Sequence, residues 1–151
     1  MSPQIEIFPF EGETDDGVWI VIRITGLEIV DFDSSVTMIR NCEASMKSIL
    51  NSEVETEIHK IGESIISRAV LKSFIEICDI EKINALLRAL YADINRNLFE
   101  VPYQGVTLKL WGWKERMVPS LNGYTKTYII SILDEYRLRG RPVSFPREFD
   151  I

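Results

Sequence analysis

The chain has 151 residues, of which 46% are apolar and 26% charged, and its formal net charge is −6. That is long enough for one domain to bury about 70% of its unfolded surface, and too apolar for intrinsic disorder. The charge is unevenly placed: residues 1–63 carry thirteen acids against four bases, a balance of −9, and residues 101–151 carry eight bases against five acids, a balance of +3. Such a dipolar field steers a basic partner toward the acidic half and repels nucleic acid from it.

Ile5 and Ile7 alternate with Glu6 and Phe8, the period of a first strand. The acidic loop Glu11, Gly12, Glu13, Thr14, Asp15, Asp16, Gly17 follows, ending in an Asp-Gly turn signal. Val18 to Ile24 is rich in β-branched residues and apolar on both faces, which predicts a central strand. Gly26 interrupts it, with Leu27 to Val30 as its extension. Asp33 and Ser34 then offer N-caps to a helix reaching Leu50, whose apolar residues Val36, Ile39, Cys42, Met46 and Ile49 fall at steps of three and four.

From Glu53 the period becomes two. Glu53, Glu55, Glu57 and His59 alternate with Val54, Thr56 and Ile58, a strand with its acids toward water. Ser52 to Glu55 also spells a helix capping box. The β-branched density of Ser64 to Cys78, and Gly62 before it, favour a hairpin over residues 53–78. Asp79 caps the clearest helix, with Ile80, Ile83, Leu87, Leu90 and Ile94 as its stripe. A weaker third copy of this strand–strand–helix pattern has Val106 to Trp113 as a strand and Thr127 to Arg139 as a helix stopped by Gly140 and Pro142, strand being the alternative for Tyr128 to Leu133. Residues 142–151 read as an extended tail lying on the surface through Val143, Phe145 and Phe149. The expectation is a single α+β domain over residues 1–151: an antiparallel sheet with helices on one face.

No catalytic motif is present. The longest apolar run, Val18 to Ile22, is far short of the roughly 20 residues of a membrane span. The first residues lack the basic and apolar stretches of a secretory signal, so the expected location is the cytoplasm. Cys42 and Cys78 have no metal or redox spacing and read as two buried, reduced thiols. His59 is the only histidine and shares its strand face with Glu55 and Glu57, which makes it a surface residue rather than a general base. The acidic loop lacks the order of a calcium-binding EF-hand. The eight glycines never cluster into a phosphate loop. No cofactor and no metal site is therefore expected.

Two other segments concentrate interaction-prone residues. Lys109 to Arg116 interleaves bases with Trp111 and Trp113, which suit a core or rim, a protein-interface anchor, or a stacking platform for single-stranded RNA. Arg137, Arg139 and Arg141 form a basic cluster at the expected helix end, a solvated end or an anion site. Weighed together, these features point to a non-enzymatic protein-binding module. Glu11, Glu13, Asp15, Asp16, Glu53, Glu55 and Glu57 would attract a basic macromolecule, with Trp111 and Trp113 as anchors. The profile is similar to that of small acidic inhibitors such as immunity proteins and antitoxins, a likeness of composition and not of motif. The rival readings are a small-molecule or nucleotide-handling enzyme with an Arg/carboxylate site, and an RNA-binding subunit.

Overall fold

A computed structural model describes residues 3–10, 16–77, 79–98, 105–120 and 123–138, of which 10, 114–120, 123–129 and 137–138 are described through their backbone alone. The elements are β1 (Gln4–Phe10), β2 (Val18–Thr25), a 3-10 turn (Leu27–Ile29), α1 (Phe32–Leu50), β3 (Glu55–Lys60), β4 (Ile66–Ile75), α2 (Ile80–Asn97), β5 (Val106–Ser120) and β6 (Gly123–Leu138). The strands form one sheet in the order β3-β4-β2-β1-β5-β6. β2 is central, as its two apolar faces require. The expected hairpin is present as β3–β4, with Glu57 opposite Val70 and His59 opposite Arg68.

The sheet is mixed and not purely antiparallel. β1 pairs parallel with β5 from Gln4↔Thr107 to Ile7↔Leu110, and every other pair is antiparallel. A parallel pair needs a long crossover. The directions of the pairs make β4 and β5 parallel, so α2 is one such crossover, and β2 and β3 parallel, so α1 is another. The parallel ladder ends before Pro9, which has no N–H with which to extend it.

The third strand–strand–helix copy is not formed: Thr127 to Leu138, the described part of the expected helix, lies in strand β6. The run Tyr128-Ile129-Ile130-Ser131-Ile132 is aromatic and β-branched, and pairing with β5 along its whole length outweighs the helical reading. Gly140 and Pro142 suit the end of a strand as well as the end of a helix. Asp31, rather than Asp33 or Ser34, is the N-cap of α1, its carboxylate accepting from the Ser34 N–H at 3.0 Å. Leu27–Ile29 turns into a 3-10 helix because Gly26 adopts φ 75°, a left-handed backbone that ends the strand. The tail 142–151 and Cys78 lie outside the described residues.

One cluster of buried side chains unites the elements. Ile5 and Ile7, then Ile20, Ile22 and Ile24, Ala69 and Leu71, and Val106, Leu108 and Leu110 supply the strand side. Met38, Ile39, Cys42 and Met46 of α1 and Ile83, Leu87, Leu90, Tyr91 and Ile94 of α2 supply the helix side. The helices are also tied directly, the Asn97 amide donating to Ser45 Oγ at 2.8 Å. Burial pushes the free Cys42 thiol up to about 12, so it stays protonated and unreactive at neutral pH. Edge strand β3 is fastened to α1 by the Thr56 hydroxyl, which donates to Glu43.

Leu90 is fully buried, so Leu90→Ala should cost about 2–5 kcal/mol in chemical denaturation. A cost under about half a kcal/mol would show that the α2 stripe is not packed as described. The Glu43 carboxyl makes the second test. Burial raises its pKa, but the hydrogen bond from Thr56 and the Arg40 guanidinium outweigh burial and hold it below its ordinary 4.5. A folded value below the unfolded one means stability that is present above the ordinary carboxylate range and lost as pH falls through the lowered value. Thr56→Val should therefore cost about 1 kcal/mol near neutrality, raise the Glu43 pKa in an NMR titration, and flatten the loss of stability in acid.

Candidate functional site

The β2–β4–β3 register brings separate acidic segments to one end of the sheet. Val18 pairs with Ile75, so the start of β2 lies against the end of β4. Gly17 permits this approach: a Cβ there would run into the Ile75 carbonyl. The 51–54 turn is latched to the same strand end. Ser52 Oγ donates to the Phe74 carbonyl at 2.7 Å, and Ser73 Oγ donates to the Glu53 carbonyl at 3.0 Å. The Ser52 hydroxyl thus serves the hairpin and not a helix cap. Asn51, with φ 50° and ψ 47°, turns the chain out of α1 into this latch.

Asp16, Glu53, Glu55 and Glu76 are all exposed around this end, and α2 begins beside it with exposed Asp79 and Glu81. The bases nearest in chain are Lys47, Lys72 and Lys82, and Lys72 stands opposite Glu55. At this end lies an open cleft of about 540 Å³, lined by Leu50, Asn51, Ser52, Phe74, Ile75, Glu76, Ile77 and Leu86. Apolar side chains of Leu50, Phe74, Ile77 and Leu86 share its wall with polar Asn51 and Ser52 and one carboxylate, Glu76. Such a site takes a cationic segment whose aliphatic stems or apolar residues leave water while the charges stay at the rim. Glu11, Glu13 and Asp15 lie outside the described residues; the flanks of their loop, Phe10 and Asp16, belong to this end. Glu57 is one pleat further along β3, with its Oε1 3.1 Å from His59 Nε2.

The tryptophans sit elsewhere. Residues that alternate with the core row form a second row across the sheet, and its centre is the Glu6 carboxylate. Glu6 is 9% exposed; it accepts from Arg23 at 3.2 Å and from the Trp111 indole N–H at 3.1 Å. The Arg23 guanidinium also lies over the Phe8 ring, 5.4 Å from its centroid. Trp111 is half-buried with its N–H committed to Glu6, and Trp113 packs against the core cluster. Trp19, too, is half-buried in this row, edge-on to Phe74 with centroids 5.4 Å apart. Lys109 is 3.9 Å from Glu135. Arg137 is a β6 residue opposite Thr107, so the helix end expected to present the arginine cluster does not exist; Arg139 and Arg141 lie outside the described residues.

Another group of exposed apolar residues, Ile29, Phe32, Ile58, Ile61 and Ile65, lies around the start of α1 and the β3–β4 turn. Lys60 Nζ is 5.7 Å from the centre of the Phe32 ring there. A much smaller hollow of about 10 Å³ between the helices is lined by Met38, Asn41, Cys42, Ile94, Asn97 and Leu98. It holds no more than about one water.

Among the described residues no three His, Cys, Asp or Glu side chains are grouped to hold a metal ion, and no helix is long and apolar enough to cross a membrane. The chain matches no protein-family model, and no curated protein or solved structure is significantly similar to it.

Glu6 and Arg23 carry no recognisable motif, yet they hold the centre of the second row. Glu6→Leu should leave the Trp111 N–H without its acceptor and cost about 1–3 kcal/mol. Glu6→Gln, which keeps an acceptor for the indole, should cost less. Equal losses in urea denaturation for the two variants would show that the indole bond contributes nothing.

Proposed function

We propose that the protein is a non-enzymatic binding module for a basic protein partner, which it engages at the acidic end of its sheet. The observation that carries this reading is a cleft lined by Glu76 at the sheet end where Asp16, Glu53 and Glu55 are also exposed. Acids from three separate segments of the chain act there as one net negative field, and such a field beside a cleft raises the rate of productive encounter. The partner lays a lysine- or arginine-rich segment across the rim and seats an apolar side chain or an aliphatic stem against Phe74, Ile77 and Leu86. A cytosolic inhibitor of a basic enzyme, in the manner of an immunity protein or antitoxin, is one form of this function.

The same reading has both helices on one face of the sheet. Crossovers are right-handed in nearly all proteins. β2 and β4 run in opposite directions, and their crossovers leave in opposite directions along the sheet, so two right-handed crossovers put α1 and α2 on the same side. The opposite face and the sheet ends are then available to a partner. The RNA reading gains nothing from the tryptophans, because the Trp111 N–H is bonded to a carboxylate that repels phosphate.

Affinity capture followed by mass spectrometry identifies the partner, and stopped-flow mixing then tests the site. Replacing Asp16 by Asn and Glu53 and Glu55 by Gln should slow association more than it speeds dissociation. The difference should fade in high salt, since exposed charges act over about 8 Å at physiological ionic strength. Ile77→Ser should do the reverse, speeding dissociation with little effect on association. A partner that associates equally fast with the neutralised protein would overturn the proposal.

A further inference from the structure

The two edges of the sheet are built differently. β3 is 6 residues long, carries exposed Glu55, Glu57 and Lys60, and has an irregular register at His59/Lys60. Charges, shortness and irregularity are the usual means of keeping an edge from pairing with another chain. β6 shares the irregularity, with a register shift at Leu110/Trp111 of its ladder to β5, but it is 16 residues long, and among the described residues no strand pairs with its outer side. It also exposes two large apolar side chains, Ile130 at 46% and Ile132 at 45%. Both stand in the second row, opposite Trp113 and Trp111.

From this edge we infer that the protein self-associates, β6 of one copy pairing antiparallel with β6 of a second copy about a two-fold axis at Ser131. In that register Ile130 faces Ile132 of the other copy, and Ile132 faces Ile130. With the β5 partners included, two cross-strand rows form, each reading Trp113, Ile130, then Ile132 and Trp111 of the second copy. The side chains of Ile130 and Ile132 thereby cover one another, as an isologous contact requires, and the outward N–H and C=O groups around Ser131, which no described strand pairs, gain partners. Charge is compatible with this pairing. Asp134 and Glu135 fall opposite positions 128 and 127, which are Tyr and Thr, so no like charges face each other. The acidic cleft lies across the sheet, by the end of β4, and takes no part.

Sedimentation velocity of the full chain, from micromolar to near-millimolar concentration, should show a monomer–dimer equilibrium. Ile130→Lys and Ile132→Lys each place a charge between the paired strands and should weaken association by about tenfold or more, with unchanged circular dichroism. Ser131→Cys, in a Cys78→Ser background, should form a disulfide-linked dimer on mild oxidation, because the two copies meet at this residue. Ser48→Cys, on the exposed side of α1, should not. A chain that stays monomeric throughout, a dimer indifferent to both lysines, or cross-linking at Ser48 as fast as at Ser131 would each overturn the inference. Should the lysine variants fail to fold, the cysteine pair decides alone.

Discussion

The short parallel ladder between β1 and β5 is the constraint on which the other elements depend, because it joins an N-terminal sheet of four strands to a C-terminal ribbon of two. It spans only Gln4 to Ile7 opposite Thr107 to Leu110, with one further bond from the Thr107 N–H to the Pro3 carbonyl at 3.0 Å. Its stability comes less from those hydrogen bonds than from what they align. Ile5, Ile7, Leu108 and Leu110 are each fully buried, and burying such side chains contributes about 1.5–3 kcal/mol apiece. Parallel pairing also obliges the chain to cross over through α2, so the helix stripe and the strand row are brought together by the same connection. Moreover, it turns β1 from an edge into an interior strand and passes the edge to β6.

The same ladder sets the electrostatics of the second row. With Ile7 beside Leu110, Trp111 falls next to β1, and Glu6 receives both the indole N–H and the Arg23 guanidinium. A carboxylate this buried is tolerated only when its oxygens are occupied. Arg23, half-exposed, keeps part of its charge in water and rests its planar group on Phe8. The acids at the sheet end are in the opposite situation. They are exposed, they gain little from any single pair, and their effect is collective and screened by salt. One residue type thus has two roles, separated by burial.

Much of the N-terminal half was legible in the sequence because its signals are local. The stripe of α2, the cap at Asp79, the period-two run from Glu53 and the break at Gly26 each declare themselves within a few residues. What depended on distant pairing was not legible. Thr127 to Arg139 has helix-compatible ends, and only β5, met in three dimensions, selects the strand. The parallel β1–β5 contact joins residues about a hundred apart, and no local pattern announces it. Glu6 and Arg23 carried no local signal of their own, since their meeting depends on the β1–β2 register, which a long acidic loop does not set in the way a two-residue turn would. The acidic segments themselves were evident, whereas their convergence on a cleft rests on Gly17 against Ile75 and on the hydroxyls of Ser52 and Ser73.

A one-residue irregularity decides the character of the C-terminal ribbon. Leu110 pairs with Asp134 but Trp111 pairs with Ile132, which leaves Leu133 as the extra residue of a bulge. Were the ladder regular, Trp111 would face Leu133, and Ile130 and Ile132 would fall in the core row. The bulge moves them to the second row and sends Leu133 toward the core. Gly112 makes that possible, since a Cβ there would come within 2.8 Å of Leu133 Cγ. Placing two isoleucines in the open exposes apolar surface that a regular strand would have buried. A bulge also bends and twists the strand that carries it, so the same residue that exposes the isoleucines sets the direction in which the outer edge of β6 faces. Gly112 and Leu133 therefore govern both what this edge presents and where it points.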